Sequence, residues 1–316
     1  LQVSGYLHGI YPRSEQLVKV TRDHQRGRAS SEEREAAFAA DLAELVSLQS
    51  SAGLSYFSDG LLGWLDLFRP LAHACAALEP AGLSRWFDTN SFYRVPQVTG
   101  SDFTTVVERA IGPATPFPRV VTLPGPLLFA HACQGGPDLV ELVGLLAKHV
   151  LRPFALRARA EGAALFHVEE PWPVTHETAP EEWRALGDAL EALRDGLGAT
   201  LALHTSFGDA GPVMGQLRKL PVDALGVDLV FTALDDLGRG WDVALVAGCL
   251  DARSSLVESV ELTTKVARLA AEQTGAPQVL LTTSTALELL PQPLAAAKVR
   301  ALGAATAQLR EELEKW

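Results

Sequence analysis

The chain has 316 residues, 47% of them hydrophobic and 21% charged, with a formal net charge of −11. Such a length and apolar share can bury a large core, which excludes a disordered chain. The acidic balance argues against non-specific binding to nucleic acid or an anionic membrane. Cys75, Cys133 and Cys249 form no CxxC pair, which points to a reducing, cytoplasmic setting. No apolar run of 18 or more predicts a membrane span, and the opening "LQVSGYLHGIYPRS" lacks the pattern of a secretory signal.

The predicted elements alternate. "QVSGYLHG" (2–9) reads as a first strand, followed by the helical "SEEREAAFAADLAELVSLQSSAG", where Ser30 and Glu33 have the spacing of a capping box. "LSYFSDG" (54–60) is a second strand, with helix signals from Asp66 to about Leu78. A stretch at about 82–100, rich in aromatics with Asn, Pro and Gly, reads as an inserted loop or hairpin. The third strand is "RVVTLPG" (119–125), and one helix is expected from roughly Asp138 to Glu161. "AALFHVEEP" (163–171) is a fourth strand, and a helix follows from about Glu181 to Gly196. "ATLALHTS" (199–206), "VDALGVDLV" (222–230), "DVALVAGCLD" (242–251) and "PQVLLTTST" (277–285) are strands five to eight, and a last helix closes the chain.

Eight short strands separated by helical stretches predict an α/β fold, a (β/α)8 TIM barrel occupying 1–316 as one domain. An open doubly wound sheet is the competing architecture. No GxGxxG fingerprint and no GxxxxGK loop supports nucleotide binding. In a barrel the C-terminal strand ends share one mouth. Here they carry His8, Asp59, Glu169 with Glu170, His204, Asp228, Cys249 with Asp251, and Thr285. A single strand-end Asp is as often a helix cap as a functional group, but the set together predicts a pocket. Asp66, Asn90 and Tyr93 are further candidates for holding a substrate. Trp64, Trp86, Phe87, Phe92, Tyr93 and Trp172 could line a flat pocket, although core or loop packing is the more common reason for any one of them.

The strand-end motifs resemble the catalytic C-terminal barrel of cobalamin-independent methionine synthase, including its shorter archaeal-type relatives. They are "HGIYPRS" (8–14), "VSLQSSAGLSYFSDGLLGWLD", "FDTNSFYRVP", "LPGPLLF", "FHVEEP", "LHTSFGD", "PVDALGVDL", "GCLDARSSLVE" and "TTSTALELLP". The resemblance implies a barrel of the methionine synthase and uroporphyrinogen decarboxylase type. It also implies methyl transfer from a folate, or from a corrinoid carried by a partner protein, to a small acceptor.

The family's zinc is held by His, Cys, Glu and Cys. At those positions this chain carries His204, Ser206, Asp228 and Thr285, with Ser284 beside the last. Both thiolates are gone, and neutral hydroxyls are poor substitutes for them. The sequence therefore predicts no metal and no tightly bound cofactor. Glu169 takes the place of an aspartate that helps hold the substrate amino group in the family, Leu61 replaces a substrate-binding glutamate, and Ile10 replaces a serine.

The expected catalytic set is His204, Asp228 and Glu169, with His204 as base and Asp228 orienting it. The expected substrate-binding set is Asp59, Asp66, Asn90, Tyr93, Glu170 and Asp251. The expected partner is a small-molecule substrate, with a corrinoid protein as a donor, and neither nucleic acid nor membrane. Two alternatives stay open: a non-catalytic barrel that binds a small molecule or a partner, and a decarboxylase or lyase of the same superfamily.

Overall fold

The computed structural model describes residues 1–111 and 117–314. Strand β1 (Gln2–Gly5) precedes helices α1 (Glu15–Gln25), α2 (Ser31–Ser51) and α3 (Arg69–Ala74) and the strands β2 (Leu78–Arg85) and β3 (Phe92–Val98). Next come β4 (Arg119–Pro124), α4 (Pro126–Ala132), α5 (Leu139–Leu146), α6 (Arg152–Ala160), β5 (Ala163–Glu169), α7 (Trp172–Thr175) and α8 (Pro180–Arg194). The chain continues through β6 (Thr200–His204), α9 (Met214–Leu217), β7 (Ala224–Asp228), β8 (Ala244–Leu250), α10 (Val260–Thr274), β9 (Gln278–Thr283) and α11 (Gln292–Glu314).

Seven strands form one curled parallel sheet in the order β1-β9-β8-β7-β6-β5-β4. The segment 54–58 closes it between β1 and β4. Ser55 N–H donates to the Gly5 carbonyl at 2.8 Å, and Phe57 bridges Arg119 in parallel. The architecture is a (β/α)8 barrel.

The second strand is reduced to that bridge because a side chain replaces its ladder. The Gln49 amide of α2 donates to the Ser58 carbonyl at 2.8 Å and accepts from Ser58 N–H at 3.0 Å. Gly60 and Leu61, with φ of 63° and 45°, then turn the backbone away.

Helix lengths also depart from expectation. The helix expected over 138–161 is broken into α5 and α6 by a wide turn at Ala147–Leu151. Pro153, which lacks an N–H and crowds the preceding turn, accounts for the break. The helix expected from Asp66 to Leu78 is only Arg69–Ala74, and Leu78 already belongs to β2. Sequence reading passed over α1 entirely, although Ser14 caps it by accepting from Leu17 N–H. The Ser30–Glu33 capping box of α2 is present in both directions, at 3.1 and 2.7 Å. Strands β2 and β3 form an antiparallel hairpin within the inserted region.

Alternation along the strands sorts the core into two shells. Outward positions pack against the helices in one large cluster. Inward positions form a small plug of Tyr6, Val120, Leu165, Ala202, Ala224, Ala244, Val246 and Leu280. The alanines offset the bulk of Tyr6 and Leu165. The next inward position toward the mouth is polar, and there the candidate site begins.

Candidate functional site

Two residues past each plug position, β5 and β6 present His167 and His204, and the extension of β1 presents His8. All three are buried. The His8 and His167 rings stack at 3.8 Å, and the His204 ring meets them edge-on at 5.2 and 5.0 Å. His167 Nδ1 pairs with the Tyr6 hydroxyl at 2.9 Å. His8 Nδ1 pairs with Glu169 Oε1 at 3.1 Å, and His8 Nε2 faces the Thr283 carbonyl at 3.2 Å.

Three ring nitrogens, His167 Nε2 and both of His204, have no hydrogen-bond partner among the described residues. A buried polar group left in that state costs about 1–3 kcal/mol. Burial, and then the neighbouring histidines, hold His167 and His204 well below the usual imidazole range. Both rings are therefore neutral near pH 7. A ligand atom of each of the three histidines lies within 4.8 Å of the others, so among the described residues this cluster could hold a metal.

Glycines make room for His204. A Cβ at Gly226 on β7 would stand 2.5 Å from His204 Cδ2, and one at Gly248 on β8 would stand 3.0 Å from His204 Nε2. At the same height as the turn after β6, Asp228 ends β7 fully buried. Its carboxylate accepts from Phe207 N–H at 3.3 Å and Val230 N–H at 3.0 Å, and it pairs with Arg253 at 3.4 Å. Burial pushes the Asp228 carboxyl up to about 6, against the pull of Arg253.

Above these groups opens a mouth cavity of about 880 Å³, lined by Phe87, Asn90, His176, Phe207, Phe231, Arg253 and Glu288 among others. Phe87 and Phe207 stack across it at 4.9 Å, and the Arg253 guanidinium lies 4.2 Å from the Phe231 ring centroid. Asp251 holds Arg253 through its backbone N–H at 2.9 Å and its side chain at 3.2 Å. A second, narrower cleft beside the mouth is lined by Ile10, Asp66, Trp86, Tyr93, Glu169 and Glu288. Burial and the adjacent Glu169 push the Glu288 carboxyl up to about 7.

The expected site residues thus fall into separate groups. Glu169 reaches the cleft and touches His8, and Asn90 lines the mouth. Asp251 reaches the mouth only through Arg253, and Tyr93 packs on Phe68 and Trp86 while lining the cleft. Asp66 also lines the cleft, yet its carboxylate starts α3 by accepting from Phe68 N–H and Arg69 N–H, and it pairs with the Arg69 side chain. Asp59 accepts from Leu61 N–H in the turn after the second strand.

Two expected relationships are corrected. Asp228 does not orient His204, because its oxygens go to Phe207, Val230 and Arg253 while both His204 nitrogens stay unpartnered among the described residues. Glu170 is fully buried away from the mouth and starts α4 by accepting from Leu127 N–H and Leu128 N–H, each at 2.9 Å. Sequence reading missed His167, Glu288, Phe207 and Phe231. The signal for His167 was present: in "FHVEE" it lies two residues before Glu169, on the same face of the strand.

A family model described as cobalamin-independent synthase, N-terminal domain, matches residues 63–274. The chain belongs to the cobalamin-independent synthase family. Among relatives of this synthase family, a 5-methyltetrahydropteroyltriglutamate–homocysteine methyltransferase of Mycobacterium tuberculosis is 29% identical over 325 residues, covering 90% of this chain and 42% of the relative. One from Burkholderia mallei is 32% identical over 257 residues, covering 76% of this chain and 32% of the relative. The chain therefore spans less than half the length of these relatives.

A B12-independent methionine synthase from Shewanella sp. W3-18-1, solved with selenomethionine, superposes with a TM-score of 0.78 at 17% identity over the whole of both chains. A methyltransferase from Methanosarcina mazei gives 0.63 at 16% identity over 98% of this chain and 94% of that one. These likenesses show the synthase-type barrel. The matching family model describes the N-terminal domain, whereas the sequence motifs were read against the C-terminal barrel.

The residues present do not fit the zinc cage that the resemblance to the C-terminal barrel implies. Asp228 is already used by two backbone N–H groups and Arg253, and Ser206 and Thr285 offer hydroxyls in place of thiolates. Cys249 is no replacement. It faces the outer shell, its thiol donates to the Thr282 carbonyl, and burial pushes it up to about 12. Among the described residues no helix is long and apolar enough to cross a membrane.

Proposed function

We propose that this barrel is a methyltransferase that moves a methyl group from a folate or corrinoid donor to a small acceptor without the zinc cage of its relatives. The observation that carries the reading is the mouth cavity of about 880 Å³ over the ends of β6 to β8, in a chain of the synthase family. Its aromatic walls, Phe87, Phe207 and Phe231, suit a planar donor, and Arg253 supplies a cation for an acidic one.

Glu288, which lines both the mouth and the adjoining cleft, offers its carboxylate to a polar or cationic group of an acceptor held in the mouth, while the cleft beside Glu169, at about 20 Å³, has room only for a water. Methyl transfer to a thiol or amine requires the acceptor to lose a proton. Glu288 suits that task, with its carboxyl pushed to about 7, while Asp228, committed to Phe207 N–H, Val230 N–H and Arg253, holds Arg253 at the mouth. His204 stays neutral below the mouth, because burial opposes its taking up a proton. His8 steadies Glu169 from the barrel side.

The test is transfer of a labelled methyl group from methyl-folate and from methylcobalamin to a panel of thiols and amines. Transfer that falls at least tenfold in Asp228→Asn or Glu288→Gln supports the reading. No transfer from either donor to any acceptor overturns it.

A further inference from the structure

We propose that His8, His167 and His204 form a site for a zinc-class divalent ion, sharing only His204 with the zinc positions of the family. The three side chains converge from β5, β6 and the extension of β1, and each is at most 1% exposed. A ring nitrogen of each lies within 4.8 Å of the others. Independently, His167 Nε2 and both His204 nitrogens are buried with no partner of good hydrogen-bond geometry among the described residues, so each of these two rings has a nitrogen lone pair to offer an ion.

The surroundings select the donor atoms. The Tyr6 hydroxyl takes His167 Nδ1 and leaves its Nε2 for the ion, whereas Glu169 takes His8 Nδ1 and His8 Nε2 must exchange its bond to the Thr283 carbonyl, now 3.2 Å long, for the ion. A carboxylate or hydroxyl behind a ligating imidazole fixes its tautomer and raises its basicity, as around bound metals generally. Neutral imidazole suits zinc, copper, nickel and iron, and three nitrogens leave a fourth position open.

Tetrahedral coordination at about 2.0 Å brings ligand nitrogens to about 3.3 Å from one another. The rings must therefore draw together, and the His8–His167 stack must open by rotation of the imidazoles about their own axes. No side chain on β7 or β8 opposes this next to His204, because Gly226 and Gly248 have none. The ion reaches the site past Glu169, which lines the cleft and touches His8. The proposal does not depend on methyl transfer.

The test uses protein made without a histidine tag, stripped with chelator and titrated with Co2+ and then Zn2+. One equivalent of Co2+ should bind with the visible d–d bands of a low-coordinate nitrogen-ligated ion, and Zn2+ should displace it. His167→Gln and His204→Gln should abolish the bands, Glu169→Gln should weaken binding by about 10–100-fold, and the exposed His73→Gln should change nothing. Circular dichroism checks that each variant is folded. Failure of the folded wild-type protein to take up a stoichiometric ion overturns the proposal whatever the variants do. Undiminished binding in both folded His167→Gln and His204→Gln overturns it as well.

Discussion

Phe87 and Phe207 stack face to face at 4.9 Å and 18° across the barrel mouth, and both hold left-handed backbone, with φ of 47° and 67°. A non-glycine residue in that region costs on the order of 1–2 kcal/mol, and an aromatic pair returns about 0.5–1.5 kcal/mol. Phe207→Gly should therefore leave stability within about 1 kcal/mol of the wild type. Binding of a planar ligand in the mouth should fall at least tenfold. Urea unfolding and ligand titration followed by tryptophan fluorescence read the two effects separately.

Asp228 organises the same wall through Phe207 N–H and Arg253. Its carboxyl is pushed up to about 6, so the anion that holds Arg253 is lost as pH falls through that value. Ligand binding in the mouth should weaken across about pH 7 to 5 in the wild type. In Asp228→Asn that limb should vanish and binding should be weaker throughout. A pH series of dissociation constants checks both.

Glu170 starts α4, and burial pushes its carboxyl up to about 8. The folded state keeps its proton between about 4.5 and 8 while the unfolded state loses it, so this group's contribution to stability falls as pH rises through that window. Glu170→Gln lacks that loss and should gain on the wild type by about 1.4 kcal/mol per pH unit up to about pH 8. Glu170→Ala, which orphans the Leu127 and Leu128 N–H groups, should cost about 2–3 kcal/mol near pH 7. Urea midpoints across that pH range distinguish the three proteins.

His204 behaves with the opposite sign. Unfolded, it takes up a proton below about 6.5. Folded and buried, it does so only far lower. Its contribution is therefore intact above about pH 6.5 and is lost below it at about 1.4 kcal/mol per pH unit. His204→Gln has no proton to gain, so its stability relative to the wild type should rise by that slope between about pH 6.5 and 5. Equal pH slopes in the two proteins would contradict the neutral, buried imidazole.

Gly226→Ala places a methyl group 2.5 Å from His204 Cδ2. Overpacking of this kind costs about 1–3 kcal/mol. The variant should unfold at lower urea, and the His204 ring resonances in an NMR spectrum should move more than those of the exposed His73.

Much of the barrel was legible in the chain because parallel strands buried on both faces read as short apolar runs between helical stretches. The second strand was not, since its hydrogen bonds go to the Gln49 side chain, which no local pattern announces. The polar strand ends were legible as a set, but their tasks were not. Glu169 and Glu170 are adjacent in sequence, yet one points inward to His8 and the cleft while the other starts α4, because neighbours on a strand face opposite ways.

The sequence by itself determined the repeating β/α order and the strand-end motifs that carry the likeness to the synthase family. Those follow from residue identity and local periodicity. Only the tertiary structure decided that His8, His167 and His204, up to 196 positions apart in the chain, share one buried layer, and that Asp228 serves Arg253 and not His204. Closing the sheet fixes which strand ends become neighbours and at what height, and that geometry depends on all the strands together.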